Sequence, residues 1–165
     1  MKDDVKPKAA FILKLVKIFE QNLKDDRVTI PLMKTIEMLL QSDYMAEVEL
    51  APELMQAHSM CVQECNKSKN IVKLMASIGV FANMLPYQDK ELAIKALRSL
   101  LFLLYHAFPT VRKQTAEKLY TSLLTMEDFD MIVPGGEDAY EEAIEMLSET
   151  DWVAPLKDVA AATKI

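Results

Sequence analysis

Apolar positions recur at helical spacing along almost the whole chain, and no segment alternates strictly in the manner of a half-buried strand. Near the N-terminus, Phe11, Leu15 and Ile18 join Ile12, Val16, Phe19 and Leu23 in a wide apolar stripe, with Lys8, Lys14, Lys17 and Gln21 outside it. A second helix is predicted after Thr29 and Pro31, carrying Leu32, Ile36, Leu39 and Leu40. Pro31 suits its first turn, where N–H groups lack an internal partner. A third helix runs from near Pro52 to about Lys67. The fourth starts at Ser68, holds Ile71, Leu74, Met75, Ile78, Phe81 and Leu85, and stops at Pro86. Asp89 is the expected N-cap of the fifth, with Leu92, Ala96, Leu100, Leu103 and Leu104 on its apolar side. Pro109 opens the sixth, which carries Val111, Ala116, Leu119, Leu123 and Leu124. The turn-rich stretch Val133-Pro134-Gly135-Gly136 precedes a seventh helix from about Glu137 to Ser148, and a short eighth begins near Pro155.

Connectivity decides between a bundle and a repeat array. The linkers come in pairs, short within a pair and longer between pairs. Val28, Val72, Val111 and Val153, near the starts of the even-numbered helices, are spaced by 44, 39 and 42 residues. That is close to the roughly 40–47 residues of a two-helix repeat. The stretch from Ala96 to Tyr120 resembles a HEAT unit: an apolar first helix, a Pro-containing turn, Val111-Arg112, then Ala116-x-x-Leu119. Arg112 is expected to bridge neighbouring repeats rather than serve as an arginine finger. The predicted fold is all-α, an α-solenoid of about four HEAT- or armadillo-like helix pairs, one domain over residues 1–165. A helix pair cannot hide its apolar faces alone, so neighbours stack and the core becomes continuous. Such a rod offers broad surfaces for binding and no deep catalytic cleft.

Composition narrows the function. The chain is 51% hydrophobic and 27% charged, within the range of folded globular proteins. Three glycines are too few for a turn-rich β fold. Eleven methionines read mainly as fillers between helices, a role their flexible thioethers suit. A net charge of −6 makes nucleic acid an unexpected partner. The N-terminal apolar stretch is broken by Lys14 and Lys17, unlike a secretory leader. Apolar runs such as Leu100 to Tyr105 fall far short of the roughly 18 residues of a membrane span. Cys61 and Cys65 read as reduced thiols, which suits the cytosol or nucleus.

Candidate chemistry is sparse. His58, Cys61 and Cys65 lie at i, i+3 and i+7 and would present three zinc ligands on one helical face. A structural zinc site needs a fourth ligand and usually draws on two elements, so packing is the preferred reading. Gly135-Gly136 lacks the Lys-Ser/Thr of a phosphate loop, and Glu137 and Asp138 would repel a phosphate. Glu141, Glu142 and Glu145 lack a Glu-x-x-His partner and read as a solvated face. No nucleophile–base order suggests catalysis, and no cofactor or metal is expected. Charge is more informative. Lys67 to Lys118 holds nine Lys/Arg against three Asp/Glu, whereas Leu119 to Leu156 holds ten Asp/Glu and no Lys or Arg. Two readings stand: the basic middle, with Lys90, Lys95 and Lys113, meets an acidic protein partner, or the acidic end complements the basic middle within the solenoid.

The segments Arg27-Val-Thr-Ile-Pro-Leu-Met-Lys-Thr-Ile-Glu-Met-Leu-Leu40, Ser77-Ile-Gly-Val-Phe-Ala82, Leu100-Leu-Phe-Leu-Leu-Tyr-His-Ala-Phe-Pro-Thr-Val-Arg-Lys-Gln-Thr-Ala116 and Leu147-Ser-Glu-Thr-Asp-Trp152 together resemble the C-terminal region of the tubulin-folding cofactor D family. They cover roughly Val28 to Trp152; the first 25 residues and the tail match less well. The resemblance implies a piece of a long HEAT-repeat protein that accepts β-tubulin after the chaperonin. With sister cofactors and an Arf-like small GTPase, it would assemble and take apart the αβ-tubulin heterodimer and stimulate GTP hydrolysis indirectly, in the cytoplasm and on the microtubule cytoskeleton. No residue-level functional motif is carried over. The competing expectation is a HEAT adaptor in trafficking or nuclear transport. As the C-terminal fragment of a longer solenoid, the chain is expected to expose Phe11, Ile12 and Phe19 at its first helix pair.

Overall fold

A computed structural model of the chain describes residues 4–127, 129, 132 and 135–163. Val133 and Pro134 of the expected turn lie outside the described residues. Among the described residues there are eight α-helices and no strand: α1 (Val5–Gln21), α2 (Asp26–Gln41), α3 (Ala51–Cys65), α4 (Ile71–Met84), α5 (Lys90–Leu104), α6 (Pro109–Thr125), α7 (Gly136–Glu149) and α8 (Leu156–Thr163). Two 3₁₀ turns, Asp43–Met45 and Val48–Leu50, join α2 to α3.

Local chemistry sets most of the boundaries. Asp89 caps α5 by accepting from Leu92 N at 2.9 Å, as its position predicts. Asn70 does the same for α4 through Lys73 N at 3.3 Å. Pro109 opens α6. The start of α2 differs from the expectation. Asp25 accepts from Arg27 N and the helix begins at Asp26, so Thr29 lies inside it and Pro31 falls in its second turn. Pro31 is exposed there and cannot donate to the carbonyl one turn back.

The helices form two layers. In the even layer α2 packs on α4 and α4 on α6; in the odd layer α1 packs on α3 and α3 on α5. This i to i+2 stacking of hairpins makes the all-α solenoid. The even helices are in closer mutual contact than the odd ones. Ten of α4's fourteen residues are buried, because both even neighbours and both flanking odd helices cover it. Gly79 permits the closest approach: a Cβ there would lie 2.4 Å from the Glu37 carboxylate of α2. Glu37 crosses α4 at that notch to within 3.9 Å of Lys118 on α6. The seventh helix has α6 as its main support, and only Leu147 of its fourteen residues is buried. Methionines fill gaps as expected, with Met33, Met45 and Met84 buried, although Met38 is exposed.

A buried ionic network ties the first two repeats. The fully buried Glu64 of α3 accepts from Thr29 Oγ1 (3.0 Å), from Lys24 N (2.7 Å) and from Lys73 Nζ (2.6 Å). Lys73 also binds Asp26, which accepts from Asn70 Nδ2 at 2.6 Å. Every charge in the cluster therefore has a partner, the condition under which buried charge is tolerated. Burial pulls the Lys73 ammonium down, but hydrogen bonds to Asp26 and Glu64 carry it above its usual value. The hydrogen bonds of Lys73 and Asn70 hold the Asp26 carboxyl below its ordinary value. Lys24 has φ 69°, a left-handed conformation that turns its amide and Nζ onto the end of α3.

The expected exposure of α1 needs correction. Phe11 is 37% exposed and meets the Tyr44 ring edge-on, but Ile12 and Phe19 are buried with Leu15 and Val16. Ile12 and Phe19, seven apart, share the stripe that faces the core. The exposed apolar residues of α1 are Phe11, Leu13 and Ile18.

Replacing Pro31 by Ala is expected to stabilise the fold by about 1–2 kcal/mol: a recovered helical bond, less the entropy advantage proline gives in the unfolded chain. Urea unfolding tests this, and a lower midpoint would show that the pyrrolidine ring is needed for packing. Asp26 adds a pH prediction. Its folded pKa is lowered, so its stabilisation is complete above the ordinary value of 3.8 and is lost as pH falls through the lower folded value. Asp26→Asn should flatten this acid limb of the stability curve.

Candidate interaction surface

The His58–Cys61–Cys65 face of α3 points into packing. His58 Nε2 pairs with Ser99 Oγ of α5 at 2.9 Å, and its ring lies against Phe81 with centroids 5.0 Å apart. Burial lowers the basicity of His58 and pushes the Cys61 thiol well up and the Cys65 thiol up. Both thiols are free, and reactive thiolates are disfavoured at such positions. Among the described residues no group of three or more His, Cys, Asp or Glu is arranged to hold a metal ion. No described helix is long and apolar enough to cross a membrane.

Arg112 is the clearest tie between repeats. It is 1% exposed, and its guanidinium donates only to carbonyls: Nε to Trp152 O (3.0 Å), Nη1 to His106 O (2.8 Å) and Ala107 O (3.2 Å), and Nη2 to Ala154 O. The planar fork thus clamps the α5–α6 loop to the segment between α7 and α8. His106 sits beneath it, accepting from Phe108 N at Nδ1 (3.1 Å). Burial, then the Arg112 charge, holds His106 neutral to lower pH than usual. Arg112 therefore has the bridging role expected from its repeat position.

The candidate partner-binding lysines occupy both layers. Lys90 and Lys95 are exposed on α5, with Lys95 near His58 of α3; Lys113 is exposed on α6 and faces the α7 side. Lys95 meets Glu91 at 3.4 Å and Lys113 meets Glu117 at 3.9 Å, each pair within its own helix. Exposed pairs of this kind contribute little and leave the charges available to solvent.

The acidic end lies open to solvent. Glu127, Glu137, Asp138, Glu141, Glu142, Glu145, Glu149 and Asp151 are all exposed. Among the described residues none of them forms an ion pair, with the basic middle or with anything else.

Where α7 leaves the regular stack, a groove of about 510 Å³ opens between α6 and the end of α7. Its apolar walls are Ala116, Tyr120, Leu147, Trp152 and Val153. Its rim carries Lys113 and Glu117 on one side and Asp151 on the other. Trp152 is held in place by Nε1 donating to Leu147 O at 2.9 Å. Sequence reasoning missed this groove because its walls come from segments more than twenty residues apart. The Lys73–Glu64 network had a signal: Lys73 precedes Arg112 by 39 residues, the repeat spacing, so both are the second residue of the even-helix repeat.

Stacked helix pairs with broad flanks and no strand among the described residues define the α-solenoid class of helical-repeat proteins. Within that class, residues 2–73 match the family model described as Tubulin folding cofactor D C terminal. This part of the chain is therefore similar to the C-terminal region of cofactor D, as the quoted Arg27–Leu40 segment indicates. The match begins at residue 2 and takes in α1, which the resemblance had placed among the weaker parts; the segments from Ser77 onward lie beyond it. No solved structure matches the chain.

Arg112→Lys is expected to cost about 2–3 kcal/mol, because an ammonium cannot span four carbonyls and leaves buried acceptors unsatisfied. Trp152 is the only tryptophan. Its emission should shift red in the variant as the 152–154 segment loosens, and unchanged emission with unchanged stability would remove the clamp.

Proposed function

We propose that this chain is a tubulin-chaperone segment, a protein-binding solenoid that takes part in post-chaperonin β-tubulin folding and in assembly and disassembly of the αβ-tubulin heterodimer. The match of residues 2–73 to the cofactor D C-terminal family carries the reading, and the two-layer stack of helix pairs supports it by offering extended flanks. In this reading the segment acts by binding rather than by catalysis, and any stimulation of GTP hydrolysis is indirect, through tubulin and an Arf-like small GTPase. Its partners are β-tubulin, the other tubulin-folding cofactors and that GTPase, in the cytoplasm and on the microtubule cytoskeleton. The exposed Lys90, Lys95 and Lys113 offer cations to an acidic protein surface.

The test is capture of purified αβ-tubulin by the immobilised chain, followed by capture from cytosol. Tubulin should be retained, and reversing Lys90, Lys95 and Lys113 to Glu should weaken retention at least fivefold and flatten its salt dependence. Retention of coat or nuclear-transport proteins without tubulin would instead make the chain a general helical-repeat adaptor.

A further inference from the structure

From the groove between α6 and the end of α7 we infer a second docking site, whose occupant is a basic segment of a partner protein anchored by an apolar side chain. Three observations converge on that chemistry. The first is shape: the groove has an apolar floor in Tyr120, Leu147 and Trp152, and Val153 at its edge is 54% exposed. An apolar side chain laid there would cover surface now open to water. The second is charge: Glu117 and Asp151 stand on the rim, and Glu145 and Glu149 lie on the last turns of α7 beside the groove residue Ser148. Lys113 is the one cation among the groove's lining residues, and the acidic side chains around the groove outnumber it.

The third is electrostatic frustration in α7 itself. Glu137, Glu141, Glu145 and Glu149 recur every four residues and are all exposed, so like charges repel along one line. The first of these favours the helix N-terminus, but Glu145 and Glu149 oppose the negative C-terminal end of the dipole, and no Lys or Arg in the last turn offsets them. α7 rests mainly on α6, with Leu147 buried and Tyr140, Ala143, Ile144 and Met146 partly buried against the core, while its glutamates stay on the exposed side. A partner's Lys or Arg side chains would relieve the repulsion, and that relief is binding free energy gained at the groove. This site differs in sign from the basic surface of Lys90 and Lys95 on α5, and Lys113 stands where the two meet, so the two would take partners of opposite charge.

Trp152, the sole tryptophan, reports occupancy directly. The experiment titrates the full chain with a twelve-residue amphipathic peptide of alternating Arg and Leu, and with its Glu-for-Arg counterpart. The basic peptide should change Trp152 emission saturably, with affinity falling at least tenfold between 50 and 300 mM salt. The Glu145→Gln/Glu149→Gln variant should bind at least fivefold more weakly. Val153→Ser, an exposed change that leaves the core intact, should also weaken binding at least threefold, which diffuse charge attraction alone would not. An equal response to the acidic peptide, no saturable response to the basic one, or indifference to Val153→Ser would overturn the proposal.

Discussion

The structure depends on one constraint: from Lys73 onward α4 has almost no surface it can leave to water, so helices must pack around it on every side. Its sequence, Ile71 to Met84, is apolar nearly all round, the pattern of a helix buried on every side. Packing α2 and α6 against it fixes the even layer, and the odd helices then fill the flanks. Gly79 shows how close that packing is, since a glycine in a helix interior costs about 1 kcal/mol relative to Ala. Here it opens the path by which Glu37 reaches Lys118 across α4. The fold thereby links three successive repeats at one notch.

Register between repeats is carried by two buried cations at the same repeat position. Lys73 is satisfied by carboxylates, Asp26 and Glu64, whereas Arg112 is satisfied by backbone carbonyls of its own loop and of the next repeat. Either arrangement is intolerant of a slip by one residue, because a displaced cation would be buried without partners. The apolar interior supplies the driving force, and these cations are satisfied only in the stacking observed. After Arg112 the device is not repeated in the described residues, and there α7 comes to rest chiefly on α6. The groove beside Trp152 is a consequence of that irregularity.

Helix number and type were legible in the sequence because apolar periodicity is a local property and each helix carries several turns of it. Asp89 and Pro109 marked their helix starts correctly, since caps and first-turn prolines act within one turn. The start of α2 was misplaced because Pro31 resembles a first-turn residue, while Asp25, the actual cap, sits in a charged run that reads as loop. Phe11, Ile12 and Phe19 could not be sorted by composition; only their angular positions separate the buried pair from the exposed ring. The charge asymmetry was legible in the sequence, and among the described residues its acidic side chains are exposed without ion pairs. The interaction groove left no local trace, because it arises from where α7 stops following the repeat.

Amide hydrogen exchange on the free chain tests the central claim, that one continuous interior centred on α4 holds the even layer together. The account predicts that the buried amides of α2, α4 and α6 share the slowest exchange and respond together to mild denaturant, while α7 exchanges orders of magnitude faster. Slow exchange of α7 equal to that of α4, or separate opening of α2, α4 and α6, would contradict it.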